Sequence, residues 1–272
     1  MVSQLSMVFM SLTTIVAILT PICCFVYFYK TTNLQWKPVL VGAIIFFLFS
    51  QILGKSLNSY ILIINSKTAD IFNNVYLYAL YGGISAAFFE EIGRFIGFCF
   101  LLKKYTEWKD GIAYGIGHGG VEAILIGGFT GIQNLLLSGM INSGGFDYLV
   151  KKNTNIPSDL LLIKEQLINT SSYIFLLGGI ERISTFIIQI LLSLLVLYGI
   201  KEKKLLLLFY AIIIHACIDF VMILFQRLGV NILLIEGLLL LIAIICWIVI
   251  KKFKLIFTCG SDDSINRINK TF

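Results

Sequence analysis

Residues 230–250 read VNILLIEGLLLLIAIICWIVI, an apolar run with Glu236 as its one charge. An α-helix needs about 20 such residues to cross the roughly 30 Å of bilayer hydrocarbon, and in lipid a helix satisfies its own backbone hydrogen bonds. Six more runs of this kind precede it, at 4–29, 38–65, 72–102, 110–137, 171–200 and 205–225. The expected fold is all-α: a polytopic membrane protein with about seven transmembrane helices in a single integral membrane domain, 1–272.

Composition agrees. The 272 residues are 58% hydrophobic and 13% charged, with a mean hydropathy of +0.92, whereas a soluble domain carries about 25% charge. A water-soluble fold is excluded, and so is disorder, which requires low hydrophobicity and high net charge. The net charge of +6 comes from basic residues in short loops rather than from a basic patch interleaved with aromatics, so no nucleic-acid partner is expected. Cys23, Cys24, Cys99, Cys217, Cys246 and Cys259 form no CxxC and read as small core residues, not as a disulfide framework or thiolate zinc site. Cys217 lies two positions from His215 on a helix and points elsewhere, which argues against a cysteine–histidine nucleophile pair.

Lys and Arg assign the topology. Lys30 and Lys37, then Lys103, Lys104 and Lys109, then Lys201, Lys203 and Lys204, then five from Lys251 onward mark alternate loops as cytoplasmic. The N-terminus is expected outside and the C-terminus inside, with 138–170 an extracytoplasmic loop and 251–272 a cytoplasmic tail. Trp36, Trp108 and Trp247 fall at expected inner helix ends, where aromatic rings favour the headgroups. The first run has no basic n-region and exceeds a cleavable signal, so it reads as a retained helix. The 138–170 stretch, with Gly144, Gly145, Asn153, Asn155 and Pro157 and an amphipathic turn around Leu160–Leu167, reads as a solvated connection or else as a lid.

Ionisable groups inside a span cost at least about 2.5–3.5 kcal/mol each and are a functional hypothesis by default. The third span carries Glu90, Glu91 and Arg94, the fourth His118 and Glu122, the fifth Glu181 and Arg182, and the sixth His215 and Asp219. Both histidines of the chain precede a carboxylate by four residues, which puts each pair on one helix face. At about 1.5 Å per residue from the inner ends Leu102, Asp110 and Leu205, Glu90 lies roughly 18 Å deep, His118 about 12 Å and His215 about 15 Å. Glu181 comes out near 29 Å from Ile200, which makes it and Arg182, with Glu122, supporting residues. Glu236, about two turns in from an outer end, reads as interfacial or paired; Gln51 and Asn58 read as interhelical hydrogen-bonding groups. Glycines crowd the same spans, Gly111, Gly115, Gly117, Gly119 and Gly120 above all, and allow close helix approach.

The segments Glu90-Glu91-Ile92-Gly93-Arg94, Gly117-His118-Gly119-Gly120-Val121-Glu122, Gly179-Ile180-Glu181-Arg182 and His215-Ala216-Cys217-Ile218-Asp219 together resemble the YhfC family of membrane peptidases. More distantly they resemble the CAAX prenyl protease and bacteriocin-processing (Abi) group and the PrsW proteases. The resemblance covers the third to sixth spans, about 72–225, and implies that they form a catalytic core. In that wider group an EE-x(2 or 3)-R/K motif, a histidine four residues after an aromatic and an HxxxN/D motif make an intramembrane peptidase site. Tyr114 precedes His118 by four, while two residues, not the usual three of the CAAX group, separate Glu91 from Arg94.

The resemblance implies a glutamic-type intramembrane endopeptidase acting on a membrane-associated protein or peptide in a bacterial plasma membrane. Glu90 would activate water shared with His118, His215 would be oriented by Asp219, and Arg94 would orient Glu91, with no cofactor. A zinc-dependent version would use His118, Glu122 and His215 as ligands. The alternatives are a catalytically silent bacteriocin-immunity or binding protein, a transporter, and buried ion pairs that only pin helices.

Overall fold

The computed structural model describes residues 1–152 and 157–268, without the side chains of Ser158 and 258–268; Asn153, Asn155, the Cys259 side chain and the end of the tail, 269–272, lie outside the described residues. Among the described residues the fold is helical, with no strand. The helices are α1 (Gln4–Thr32), α2 (Trp36–Ile64), α3 (Ser66–Ile71), α4 (residues 75–101), α5 (Trp108–Asn142), α6 (Gly145–Lys152), α7 (Ser158–Asn169), α8 (Ser172–Lys201), α9 (Leu206–Arg227) and α10 (Ile232–Ile268). Side chains set several starts: the Ser3 hydroxyl accepts from Ser6 N, the Asn74 amide from Tyr76 N and Leu77 N, and Glu107 and Asp110 form a capping box. Asn33, at φ 52°, closes α1 in the left-handed region that asparagine tolerates.

Helices α1, α2, α5, α8, α9 and the Ile232–Phe257 part of α10 are long and apolar enough to cross a membrane. Helix α4 is of comparable length, but Glu90, Glu91 and Arg94 lower its hydropathy. The protein is an integral membrane protein, and its outward faces carry the side chains lipid requires, such as Leu12, Ile63, Phe100, Leu206 and Leu234. Helix α8 is the hub. Of its apolar window 61% is buried, against 11% for α9, and it packs on α1, α5, α9 and α10.

Glycine sets how near the site-bearing helices come. A Cβ on Gly117 of α5 would run into the Val39 carbonyl of α2, and one on Gly42 would meet the Tyr114 carbonyl and lie 3.0 Å from His118 N. Backbone therefore packs on backbone beside His118. Gly83 does the same between α4 and α9, where a Cβ would lie 2.5 Å from Ala216 O.

One expectation needs revision. The 138–170 stretch is largely helical: α5 continues to Asn142, and α6 and α7 bury Phe146 and Leu167 in a small second core with Val2, Met10 and Ile141. The turn expected around Leu160–Leu167 belongs to α7. Lys164 Nζ lies 2.6 Å from Asp147 Oδ1 and holds that exposed carboxyl below its usual range. The tail from residue 251 continues α10 as helix to Ile268, since its early residues include no proline or glycine to end it. Trp108 donates to Ile250 O at 3.4 Å beneath Lys254, and Lys251 covers Trp247, so aromatic and basic groups gather at this end of the bundle.

Candidate active site

Helices α4, α5, α8 and α9 bring their polar groups into one network. Glu90 Oε2 lies 3.1 Å from His118 Nε2 and 3.9 Å from His215 Nε2, and accepts from Gln189 Nε2 at 2.9 Å; the Ser50 hydroxyl donates to Glu90 Oε1 at 3.2 Å. Arg94, fully buried, reaches Glu91 Oε1 at 3.1 Å, Gln189 Oε1 at 2.5 Å and His118 Nε2 at 3.1 Å. His215 is held from both sides, Nδ1 2.8 Å from Glu91 Oε1 and Nε2 3.5 Å from Asp219 Oδ2. Glu122 Oε1 lies 4.0 Å from Arg182, which also pairs closely with Glu181.

Glu90, Glu91, Arg94, His118, His215 and Asp219 therefore converge, and Glu122 joins them beside His118. Glu181 and Arg182 line the same cavity of about 410 Å³ as Glu90, Glu122, His215 and Asp219, although the depth count set Glu181 apart. The tighter hold on His215 is Glu91 rather than Asp219. Gln189 and Ser50 escaped the reading of the sequence. A lone amide between Ile188 and Ile190 carries no charge to mark it, yet the depth count puts Gln189 about 16 Å from Ile200, the level of Glu90. Ser50 sits on α2, whose charges Lys37 and Lys55 mark no site. Tyr114, one turn before His118, stacks on its ring with centroids 6.1 Å apart.

Asn58 has the role its sequence suggested, accepting from the Tyr81 and Ser85 hydroxyls of α4 at 2.7 and 2.8 Å. Glu236 is buried, and its Oε2 has no hydrogen-bond partner among the described residues.

A family model described as "YhfC intramembrane metalloprotease" matches residues 16–240, which include every group of this network. The chain is also 42% identical over 227 residues to the "Uncharacterized membrane protein YhfC" of Bacillus subtilis (strain 168), covering 84% of this chain and 88% of that one. The chain belongs to the YhfC intramembrane metalloprotease family. No solved structure matches it.

The donor set of this YhfC-family chain fits a metal ion. Glu90, His118 and Glu122 each offer a ligand atom, all within 4.8 Å of one another. Ligands about 2.0–2.2 Å from a tetrahedral zinc stand roughly 3.4 Å apart; the 3.1 Å between Glu90 and His118 is near that spacing, with Glu122 within 4.8 Å of both. A further observation agrees: Glu122 Oε2 is buried without a partner. Arginine has no acceptor, so its bond to His118 Nε2 uses the nitrogen's lone pair; a metal held at Nε2 would take the place of that bond and leave Arg94 to Glu91 and Gln189. The triad differs from the ligands expected from the sequence by having Glu90 where His215 was placed.

Proposed function

We propose that the chain is an intramembrane peptidase whose Glu90, His118 and Glu122 hold a divalent metal, with zinc the first choice. The observation that carries the reading is this triad, buried at Glu90 and His118 and partly buried at Glu122, whose two carboxylates line a cavity that His215 and Asp219 also line. Bound there, the metal would polarise the scissile carbonyl and make water more acidic.

Hydrolysis forms a C–O bond, breaks the C–N bond and moves one proton from water to the departing amine. Asp219, with 31% of its side chain exposed, can take that proton, and His215 can pass it on from Nε2. Glu91, fixed by Arg94, holds His215 through Nδ1 and keeps Nε2 directed at the cavity, the orienting role such carboxylates play. Gln189 fixes Glu90 and Arg94 together. The 72–225 core inside one membrane domain, the orientation with the N-terminus out and the C-terminus in, and a membrane-associated protein or peptide substrate belong to the same proposal.

One observation favours a metal-free version in which Glu90 is the base: both its oxygens already receive protein donors, from Ser50 and Gln189. Elemental analysis of purified protein separates the two. Stoichiometric zinc, lost together with activity in His118→Ala, supports the metallopeptidase; activity in metal-free protein refutes it. The activity itself is tested by comparing new protein N-termini in membranes of cells making wild type and equal amounts of folded Glu90→Gln. Termini present only with wild type are expected. Identical profiles would point to a binding, immunity or transport role.

A further inference from the structure

Glu236 takes no part in the chemistry above, yet its environment is unusual. It comes from α10, outside the four helices that carry the site, and 8% of it is exposed. It lines the 410 Å³ cavity together with Glu181 and Arg182, and those two are the charged groups that act on it. Arg182 already faces Glu122 and Glu181. Two carboxylates thus already occupy the one guanidinium, and Glu236 Oε2 is buried with no hydrogen-bond partner among the described residues. A carboxylate oxygen buried without a partner in a cavity wall is costly, and a cationic guest offsets that cost. The neighbouring wall is apolar, formed by Ile174, Leu177, Ile235 and Leu239, which suits the methylene stem of a long basic side chain.

We infer that the Glu236–Glu181 region of the cavity is a specificity subsite for a Lys or Arg side chain of the peptide substrate; this rests on the peptidase reading. Its distance from the chemistry is set by α8. Gln189, which bonds Glu90, and Glu181 are eight residues apart on that helix, about 12 Å. An extended peptide advances about 3.3 Å per residue, so the basic residue falls three to four positions from the cleaved bond.

The test uses the full-length protein in its membrane. New N-termini are mapped for wild type, Glu236→Gln and Glu236→Lys, each checked for an unchanged unfolding midpoint, and in one substrate so found the basic residue is replaced by Met. The expected result is a Lys or Arg three to four residues from the wild-type cuts. Cleavage should fall about tenfold or more in Glu236→Gln, further in Glu236→Lys, and by a similar factor on the Met substrate with wild type. Wild-type cuts with no basic residue at that distance, or a Glu236→Gln rate within twofold of wild type, overturn the subsite and leave the peptidase standing. Absence of any wild-type-specific terminus overturns both. If Glu236→Lys fails to fold, Glu236→Gln and the Met substrate decide the question.

Discussion

Replacing Gly117 by Ala tests the backbone contact that places His118. An added Cβ would lie 2.7 Å from Val39 C and 2.9 Å from Val39 Cα, and nearer still to the Val39 carbonyl oxygen. Bringing Val39 C from 2.7 Å to an ordinary 3.4 Å requires about 0.7 Å, and the nearer carbonyl oxygen requires α2 and α5 to part by more than that; a gap of about 0.5–1 Å already forfeits a quarter to a half of each dispersion contact across it. Because the obstacle is backbone, no rotamer change relieves it, so the cost belongs near the upper end of the overpacking range, about 3 kcal/mol. Gly139, later on the same helix, has nothing within 4 Å of its would-be Cβ. Alanine gains about 1 kcal/mol of helix propensity at either position, so that gain cancels in the comparison and the difference isolates the close approach. Unfolding in mixed dodecyl maltoside and SDS micelles, followed by circular dichroism, should rank Gly117→Ala about 3 kcal/mol below Gly139→Ala, roughly two orders of magnitude in the equilibrium constant. Gly117→Ala should also lose peptidase activity, since parting the helices moves His118 relative to Glu90. Unfolding free energies equal within about 0.5 kcal/mol, inside ordinary surface variation, would refute the argument.

Two other substitutions separate the site from its scaffold. Gln189→Leu, close in volume, leaves Glu90 Oε2 without its amide donor and removes one of Arg94's acceptors; a loss of about 1–3 kcal/mol is expected in the same micelle assay, with a fall in metal content and cleavage that Gln189→Met does not restore. Asn58→Ala leaves the Tyr81 and Ser85 hydroxyls without their shared acceptor and should cost about 1–2 kcal/mol while cleavage per folded molecule stays unchanged. A cycle with Tyr81→Phe should show coupling between residues 58 and 81, and strictly additive effects would argue against that bond.

The helical fold was readable because lipid leaves so few options: apolar runs of span length must be helices. What misled was 138–170, where polar and glycine-rich residues look like loop; α6 and α7 form because their few apolar side chains, Phe146 and Leu167 among them, find a small core of their own against α1 and α5. That core depends on tertiary packing which no local pattern in this stretch announces. Beyond residue 251 the helix continues, because Lys251, Lys252 and Lys254 mark an end of the apolar run without marking an end of the helix.

At the site, charge was the legible signal, and it found groups on α4, α5, α8 and α9 that the fold brings together. It did not find how they connect. Gln189 links the Glu90 and Arg94 ends of the network while carrying no charge, and the uncharged Ser50 reaches in from α2. Asn58 is an equally lone amide, yet it is satisfied by two neutral hydroxyls and holds only a helix pair. What separates Gln189 from Asn58 is the partner: an amide that bonds two opposite charges fixes the distance between them, and in a medium of low dielectric that distance governs how each behaves. Glu236 extends the point, since a single carboxylate in an otherwise uninterrupted span was read as peripheral until its burial and missing partner were known. Lone polar residues in a membrane helix therefore merit the same functional default as the charged clusters, with the identity of the partner deciding between scaffold and site.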